Sequence, residues 1–258
     1  MANPVNPEEV DQIVGELLRR GERARWEEAM INRFGPGHIA STLEELLLPE
    51  RRNRIEDVLS ARSETVATVV EGVLNTGNVS AVMRTAEALG FHLFHAITNS
   101  QPFKRSTRTT QGAHKWLDIH EWDSAAGCAK FLKDHGYSIV VTHLDEAAEP
   151  IETVDFRKKT ALVFGNELSG VSQQMLELAD STCVLPVAGF VQSYNISVAA
   201  AIALHVAFSS RVQHLGNNGD LTSDQTERLR AIYFLRATDL DTERAEELLE
   251  RPVAKRKR

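Results

Sequence analysis

The sequence lacks the residue patterns that build disulfide scaffolds, metal centres and membrane spans. It has two cysteines, Cys128 and Cys183, and none of its nine histidines falls at a metal-ligand spacing. We therefore expect no disulfide framework and no metal, and we interpret both cysteines as small buried apolar residues. No apolar run approaches 18 residues, and the N-terminus reads MANPVNPEEV, without a charged-then-apolar leader. These absences predict a cytoplasmic protein that is neither secreted nor membrane-bound.

The fingerprints of nucleotide-dependent enzymes are absent too. Neither G-x-G-x-x-G nor G-x-x-x-x-G-K-[ST] follows any of the apolar runs. Those loops cradle the phosphates of dinucleotides and nucleoside triphosphates at the start of a helix. A redox or kinase domain is therefore a poorly supported alternative.

Positive charge is scarce overall but locally concentrated. The formal net charge is −7, which is unusual for a nucleic-acid-binding protein, because phosphate neutralisation requires Lys and Arg. A basic stripe can nevertheless coexist with an acidic body, and from the charge pattern alone each cluster is either a solvated surface or a nucleic-acid contact. The clusters are Arg51, Arg52, Arg54 and Arg62 on a predicted helix, Lys104, Arg105 and Arg108 in a loop, and Lys255, Arg256, Lys257 and Arg258 at the C-terminus.

The secondary-structure pattern changes near residue 65. Helices are predicted over 8–20, 24–34 and about 50–61, with a capping-box pattern at Ser41 and Glu44. Short β-branched runs then alternate with helices, which predicts a buried parallel α/β sheet. A linker at 214–222 precedes helices near 223–235 and 242–250. The predicted strands are TVATVV, HLFHAIT, YSIVVTHL, TALVFG and TCVLPV, and the helices between and after them are 78–89, 124–134, 172–180 and 195–211.

Three separated segments each lie at a turn into a helix. They are NTGNVSAVMRTAEALGF at 75–91, LVFGNELSG at 162–170 and LPVAGFVQSYNISVAAA at 185–201. Backbone N–H groups at such turns are unpaired, so three of them folded together would bind a polar, phosphate-bearing or carboxylate-bearing ligand.

In this order and spacing the segments resemble the three motifs of the SpoU/TrmH branch of the SPOUT RNA methyltransferases, over about residues 49–211. The likeness requires Asn78, an Arg six residues later, Gly-x-Glu at 165–167 and Ser-x-Asn at 193–195 to recur in register. GAHKW at 112–116 and FVQSYNISVAAA resemble the subgroup that methylates the ribose of tRNA guanosine 18. By contrast, Asn75-Thr76-Gly77 stands where that subgroup usually has Lys-Pro-His, and is closer to the wider SpoU family.

The resemblance implies an α/β fold with a SPOUT-type parallel sheet flanked by helices, a C-terminal deep trefoil knot, and helical extensions at both ends of the chain. It implies S-adenosylmethionine as cofactor, tRNA or another structured RNA as partner, and a homodimer whose sites use residues of both subunits. The domains expected on this basis are a helical extension at 1–48, a methyltransferase domain at 49–213 with a basic RNA-binding helix at 49–62, and a linker, helices and basic tail at 214–258.

The resemblance also assigns residues that the pattern alone leaves open. By spacing, Arg84 points away from the apolar face of its helix, Asn78 is a natural N-cap, GNELSG is an ordinary glycine turn, and Ser193 or Asn195 caps the next helix. The catalytic residues implied by the family are Arg84, Asn78, Glu167, Ser193 and Asn195. The implied cofactor-binding residues are Thr142, His143, Leu144, Gly165, Asn166, Leu185, Pro186, Val187, Ser193 and Asn195. By resemblance, Arg51 and Arg54 match the basic N-terminal helix that grips tRNA. The full set of expected RNA contacts is Arg51, Arg52, Arg54, Arg62, Lys104, Arg105, Arg108 and Lys115.

The predicted function is S-adenosylmethionine-dependent 2′-O-methylation of a ribose in structured RNA, with guanosine 18 of the tRNA D loop ranked first. One alternative is methylation of ribosomal RNA or of another tRNA position. Another is an RNA-binding paralogue without catalysis, against which the joint presence of Arg84, Glu167, Ser193 and Asn195 argues.

Overall fold

The computed structural model describes residues 18–19, 21–73, 75–98, 106–145 and 147–251. Two compact units are present. Unit 1 contains residues 64–218 and the short strand at 18–19, and unit 2 combines 21–63 with 219–251. The predicted boundaries differ, because they separate the N-terminal from the C-terminal helices and assign 49–62 to the methyltransferase domain. In the structure these three segments share one helical unit.

The strands and helices, numbered in chain order, follow the predicted alternation. The strands are β1 Leu18–Arg19, β2 Val66–Glu71, β3 Leu93–Ile97, β4 Asp118–Trp122, β5 Ser138–Thr142, β6 Glu149–Pro150, β7 Thr160–Phe164 and β8 Ser181–Val184. The helices are α1 Glu22–Phe34, α2 Pro36–Leu43, α3 Pro49–Ser60, α4 Thr76–Ala88, α5 Thr107–Thr110, α6 Ala125–Asp134, α7 Gln173–Leu178, α8 Ile196–Leu215, α9 Ser223–Ala237 and α10 Thr242–Glu250.

One sheet organises unit 1. Its strand order is β1-β4-β3-β2-β7-β5-β8-β6. Strand β1 pairs antiparallel with β4, and the other seven strands are parallel. The predicted parallel α/β sheet is confirmed. The central strand β2 is buried at all six residues, as expected for a parallel sheet covered on both faces.

The two faces of the sheet bury different helices. Val66 and Val70 of β2 share a core with α4 and α8, whereas Ala67 and Val69 face α6 and α7. This alternation follows from the two-residue period of a strand. Cys128 and Cys183 are both buried and unpaired, as expected. Helices α4 and α8 are therefore fixed side by side on one face of the sheet.

Helix α8 is apolar enough to need separate mention. Among the described helices it alone has the length and composition of a membrane-crossing helix. Its residues Ala200, Ala203, Leu204 and Ala207 are buried in the core of unit 1. The buried guanidinium of Arg211 donates hydrogen bonds to the carbonyl oxygens of Phe156 and Asn218. We interpret α8 as a core helix, because its buried apolar residues pack beside α4 on one face of the sheet.

Several sequence expectations need correction here. Of the helix predicted over 8–20, residues 18–19 form strand β1 instead, and 8–17 lie outside the described residues. Strand β4 was not predicted, because DIHEW has no continuous apolar run. Ser41 is inside α2 rather than at a helix start, so the predicted capping box at Ser41 and Glu44 is wrong.

Unit 2 is a helical bundle. Helix α9 packs against α2 and α3. Glu27 of α1 is buried in this bundle. It is 1% exposed and accepts hydrogen bonds from Arg23 and Arg236. Because a buried carboxylate needs both charge and hydrogen-bond partners, this network ties α1 to α9.

Candidate active site

The second and third motif segments line one cavity of unit 1, and the first is bonded to its rim residue Glu167 through Asn78. The cavity has a volume of about 340 Å³ and lies at the carboxyl ends of β5, β7 and β8, where parallel sheets generally bind ligands. That volume is within the range of small-molecule sites. The lining residues are Thr142, His143, Leu144, Phe164, Gly165, Asn166, Glu167, Leu168, Ser169, Gly170, Cys183, Val184, Leu185, Val187, Gln192, Ser193, Tyr194, Ile196 and Ala199.

The turn at 165–170 forms one wall. The backbone groups of Asn166 and Gly170 bond to each other in both directions, at 2.9 and 2.8 Å. A Cβ atom on Gly165 would lie 2.3 Å from the backbone of Gly170 and Val171, and Gly170 has a φ of +67°. Both positions therefore require glycine. The tightness of this turn leaves Glu167 and Leu168 exposed at the cavity rim.

Side chains clasp this wall to the end of β2. Asn166 Nδ2 donates to the carbonyl oxygen of Gly72 at 3.0 Å, and Asn78 Nδ2 donates to Glu167 Oε1. The carboxylate of Glu71 accepts from the backbone N and the Oγ of Ser172, at 2.9 and 2.7 Å. Hydrogen bonds thus join the chain that follows β2 to the turn that follows β7, and the Asn78–Glu167 bond joins the first motif segment to the second.

The start of α4 differs from the prediction in a way that matters for the site. Asn75, not Asn78, is the N-cap, and its side chain accepts from the backbone N of Gly77 and Asn78. Helix α4 therefore begins at Thr76, and Asn78 lies in its first turn. Because Asn75 satisfies the orphan donors of the helix, the amide of Asn78 is available to contact Glu167.

Glu71 is a buried carboxylate, 2% exposed. Its two hydrogen bonds from Ser172 compensate for the loss of water. Burial and, second, the charge of Glu71 raise the pKa of the Cys128 thiol well above its ordinary value. Burial, with a smaller effect of Glu152, raises the pKa of Cys183 to about 12. Cys183 lines the cavity, but its thiol is protonated at neutral pH and is not a nucleophile.

In the third segment, Asn195 caps helix α8 and Ser193 lines the cavity. The Oδ1 of Asn195 accepts from the backbone N and the Oγ of Ser197, at 3.0 and 2.6 Å, so Asn195 is the N-cap of α8. Ser193 is left exposed and lines the cavity. Pro186 and Asn195, both predicted to bind cofactor, are not among the lining residues.

The structure brings most, but not all, predicted cofactor residues together. Thr142, His143, Leu144, Gly165, Asn166, Leu185, Val187 and Ser193 line the cavity, and so does Glu167. The lining includes ten residues outside the predicted set, four of which have exposed side chains beside predicted ones: Leu168, Ser169, Gln192 and Tyr194. Position was the available signal for these four, since each lies next to a motif residue in the sequence.

Arg84 does not line this cavity. It is exposed on α4, and within the described part of the chain its guanidinium has no ion pair or hydrogen bond. Six residues separate it from Asn78, which corresponds to about 240° of rotation and about 9 Å along a helix. A single chain therefore provides the cavity and the Asn78–Glu167 pair without the predicted guanidinium.

The predicted RNA contacts are placed unequally. Arg51 and Arg54 of α3 are exposed, as are Arg108 and Lys115 of unit 1. Arg52 is half-buried and bonds to Glu44 at 2.9 Å. The predicted contacts Lys104 and Arg105 lie outside the described residues, and so does the basic C-terminal cluster at 255–258.

Arg62 is not a surface residue, and its prediction as an RNA contact is wrong. It is 1% exposed, and its Nε donates to the hydroxyl of Tyr233 at 2.9 Å. The guanidinium also lies 5.7 Å from the centre of the Tyr233 ring. Arg62 follows the C-terminal end of α3, and its buried side chain ties this end to α9 within unit 2.

Comparison with known proteins agrees with this geometry. The family model described as the SpoU rRNA Methylase family matches residues 65–205. The chain belongs to the SpoU methylase family. It is 37% identical, over 163 residues, to the tRNA (guanosine(18)-2′-O)-methyltransferase of Thermus thermophilus, and the match covers 63% of this chain and 84% of that protein.

Solved structures of SpoU proteins have the same fold. The Aquifex aeolicus TrmH/SpoU tRNA modifying enzyme superposes with a TM-score of 0.66 at 32% identity, covering 71% of this chain and 95% of the other. The SpoU methyltransferase AviRb of Streptomyces viridochromogenes, solved with AdoMet, gives a TM-score of 0.52 at 23% identity, covering 60% and 61% of the two chains. At that identity the likeness shows the fold.

The burial of Arg62 generates a test that separates folding from RNA binding. Arg62→Ala should lower the free energy of unfolding by about 1.5–3 kcal/mol, because it removes a hydrogen bond made by a buried charged group. Arg54→Ala, at an exposed arginine of α3, is the control and should change stability by less than about 0.5 kcal/mol. Urea unfolding monitored by circular dichroism measures both. Equal stability of the two variants would contradict a structural role for Arg62.

Proposed function

We propose that this protein transfers a methyl group from S-adenosylmethionine to the ribose 2′-hydroxyl of guanosine 18 in tRNA. The observation that carries the proposal is that the second and third SpoU motif segments line one cavity and that the first is bonded to its rim through the Asn78–Glu167 pair. The named activity of the Thermus thermophilus relative supports the choice of tRNA position. The protein would act in the cytoplasm, where tRNA is modified.

The cavity has the chemistry that S-adenosylmethionine requires. When bound, the cofactor supplies an electrophilic methyl group on a sulfonium sulfur. Leu185, Val187 and Ile196 give apolar surface for an adenine ring, whereas Gly165 and Asn166 expose backbone next to the rim. Apolar walls with a few convergent polar groups are typical of such sites.

The attacking hydroxyl must lose its proton as it reacts. A guanidinium has a pKa above about 12 and is therefore a poor base. Arg84 would instead bind the adjacent phosphate and stabilise the developing alkoxide, with a phosphate oxygen or water taking the proton. Asn78 and Glu167 would position the ribose at the cavity rim.

The position of Arg84 leads to a homodimer. Because Arg84 does not line the cavity of its own chain, we infer that it completes the cavity of a second copy. The apolar residues Val198, Ile202 and Val212 are exposed along α8, and they lie at positions that fall on one helical face. A second copy packed on that face would cover them, and the family resemblance points to the same assembly.

A trefoil knot is part of the same proposal. The segments after β5, β7 and β8 crowd around one cavity. In SPOUT methyltransferases the deep knot at this end of the sheet holds the cofactor. We infer the same threading here from family membership and from the position of the cavity.

The proposed activity is tested with purified protein, labelled S-adenosylmethionine and a tRNA transcript. We expect label in the wild-type transcript and none in a transcript carrying 2′-deoxyguanosine at position 18, because the acceptor oxygen is missing. Label in both transcripts would assign the activity to another position, and label only in ribosomal RNA would assign it there. Binding of tRNA without transfer would indicate a non-catalytic paralogue.

Mixed dimers test whether Arg84 serves a partner's cavity. Arg84→Ala should lower kcat about 10²–10³-fold, the usual loss for one transition-state charge partner. Mixing inactive Arg84→Ala with inactive Glu167→Ala gives heterodimers in which one cavity has both residues intact. Activity should then recover to about a quarter of wild type, since half of the dimers carry one complete site. No recovery after subunit exchange would place Arg84 at its own chain's cavity or outside the site.

The exposed arginines of α3 provide a test of RNA binding. Replacing Arg51 and Arg54 by Ala should weaken tRNA binding and flatten its salt dependence by about 0.7–0.9 in the log–log slope per lost phosphate contact. Affinity for S-adenosylmethionine should be unchanged. Arg244→Ala, an exposed arginine of α10, is the control and should leave the slope unaltered. An unchanged slope in the double variant would remove α3 from the RNA interface.

A further inference from the structure

The third motif segment contains a loop held by very little. Residues 185–195 connect β8 to α8 and have no regular secondary structure. The loop nevertheless supplies Leu185, Val187, Gln192, Ser193 and Tyr194 to the cavity lining. A wall of the candidate cofactor site is therefore formed by chain that neither the sheet nor a helix holds in place.

One hydrogen bond closes this loop. The hydroxyl of Tyr194 donates to the carbonyl oxygen of Pro186 at 3.0 Å, across eight residues. Within the described structure, residues 186–194 make no other hydrogen bond. Asn195 is fixed separately as the N-cap of α8. The Tyr194 hydroxyl thus joins the two ends of the loop where it leaves β8 and enters α8.

Packing and backbone strain do not substitute for this bond. Phe190 is fully exposed and Val191 is mostly exposed, so neither contributes a buried anchor. A Cβ on Gly189 would meet no atom within 4 Å, which means that no close approach of backbone restricts the loop there. Its conformation depends mainly on its two ends and on the Tyr194–Pro186 bond.

We propose that Tyr194 is a positioning residue, whose hydroxyl holds the 186–194 loop in the shape that binds the cofactor. The inference rests on the proposed role of the cavity as the S-adenosylmethionine site. Ordering a free loop on binding costs conformational entropy, and a bond that orders it beforehand reduces that cost. Tyr194 is 37% exposed, so water competes for its hydroxyl and the bond adds little to global stability.

Tyr194→Phe tests the proposal because it removes the hydroxyl and keeps the ring. We expect the Kd for S-adenosylmethionine, measured by isothermal titration calorimetry, to rise about 3- to 10-fold, the equivalent of one net hydrogen bond. Kcat at saturating cofactor, tRNA affinity, oligomeric state and Tm should match wild type. A merely structural residue would lower Tm without this separation of cofactor affinity from kcat.

Tyr137→Phe is the matched control. Tyr137 also donates its hydroxyl to a backbone carbonyl, that of Glu64, but it is buried and does not line the cavity. It should lower Tm and leave the cofactor Kd unchanged.

The outcomes separate the positioning role from the function of the cavity. Wild-type cofactor affinity in Tyr194→Phe would overturn the positioning role while leaving the proposed function intact. A lowered Tm, or a kcat reduced by the same factor as the cofactor affinity, would also overturn it. If the wild-type protein itself does not bind S-adenosylmethionine, the proposed function fails, and the inference fails with it.

Discussion

The hydrogen-bonded clasp between the end of β2 and the turn after β7 is the constraint on which the site depends. These two strands are neighbours, with Val70 opposite Phe164, so their following loops leave the sheet at the same level. Without a tie the loops would diverge into solvent. Glu71 and Asn166 prevent this, because each bonds across to the opposite segment. The buried charge of Glu71 makes its part of the clasp strong, since charge-assisted hydrogen bonds exceed neutral ones.

Each helix that opens at the site has two polar residues able to cap it, and the structure uses one of each pair. Asn75 caps α4 and Asn195 caps α8. Asn78 and Ser193 are thereby available at the cavity, where Asn78 contacts Glu167 and Ser193 faces the lining. Helix formation and ligand binding therefore do not compete for the same side chain. The presence of two candidate caps near each helix start has this physical explanation.

The sequence was sufficient for the parallel sheet and for the meeting of the second and third motif segments at one edge of it. Continuous apolar runs identify strands that are buried on both faces, and the ends of parallel strands meet at one edge. Strand β4 was not predicted because His120 and Glu121 separate its apolar residues Ile119 and Trp122, and β1 because its two residues are strand only by pairing with β4.

Side-chain roles that depend on remote partners could not be read from local patterns. From the local sequence, Arg62 is one more basic residue of a predicted surface helix. Its structural role becomes visible only with its contact to Tyr233, 171 positions away. Tyr194 lies inside a recognised motif, but its bond to Pro186 depends on how the loop folds back. By contrast, the orientation of Arg84 followed from helix geometry alone, since the apolar face of α4 fixes which side is exposed.

That orientation also limits where Arg84 can act. Val82 and Met83, its immediate neighbours, are completely buried against the sheet and α8. Rotating α4 to bring Arg84 toward its own cavity would expose both, at about 1.5–3 kcal/mol for each side chain. It would also break the bond of Asn78 to Glu167, because Asn78 belongs to the same rigid helix as Arg84. A cost of this size makes rotation of α4 an unfavourable way to bring Arg84 to its own cavity. If the Arg84 guanidinium takes part in the reaction, its exposed position on α4 favours the proposed action at the cavity of a second copy.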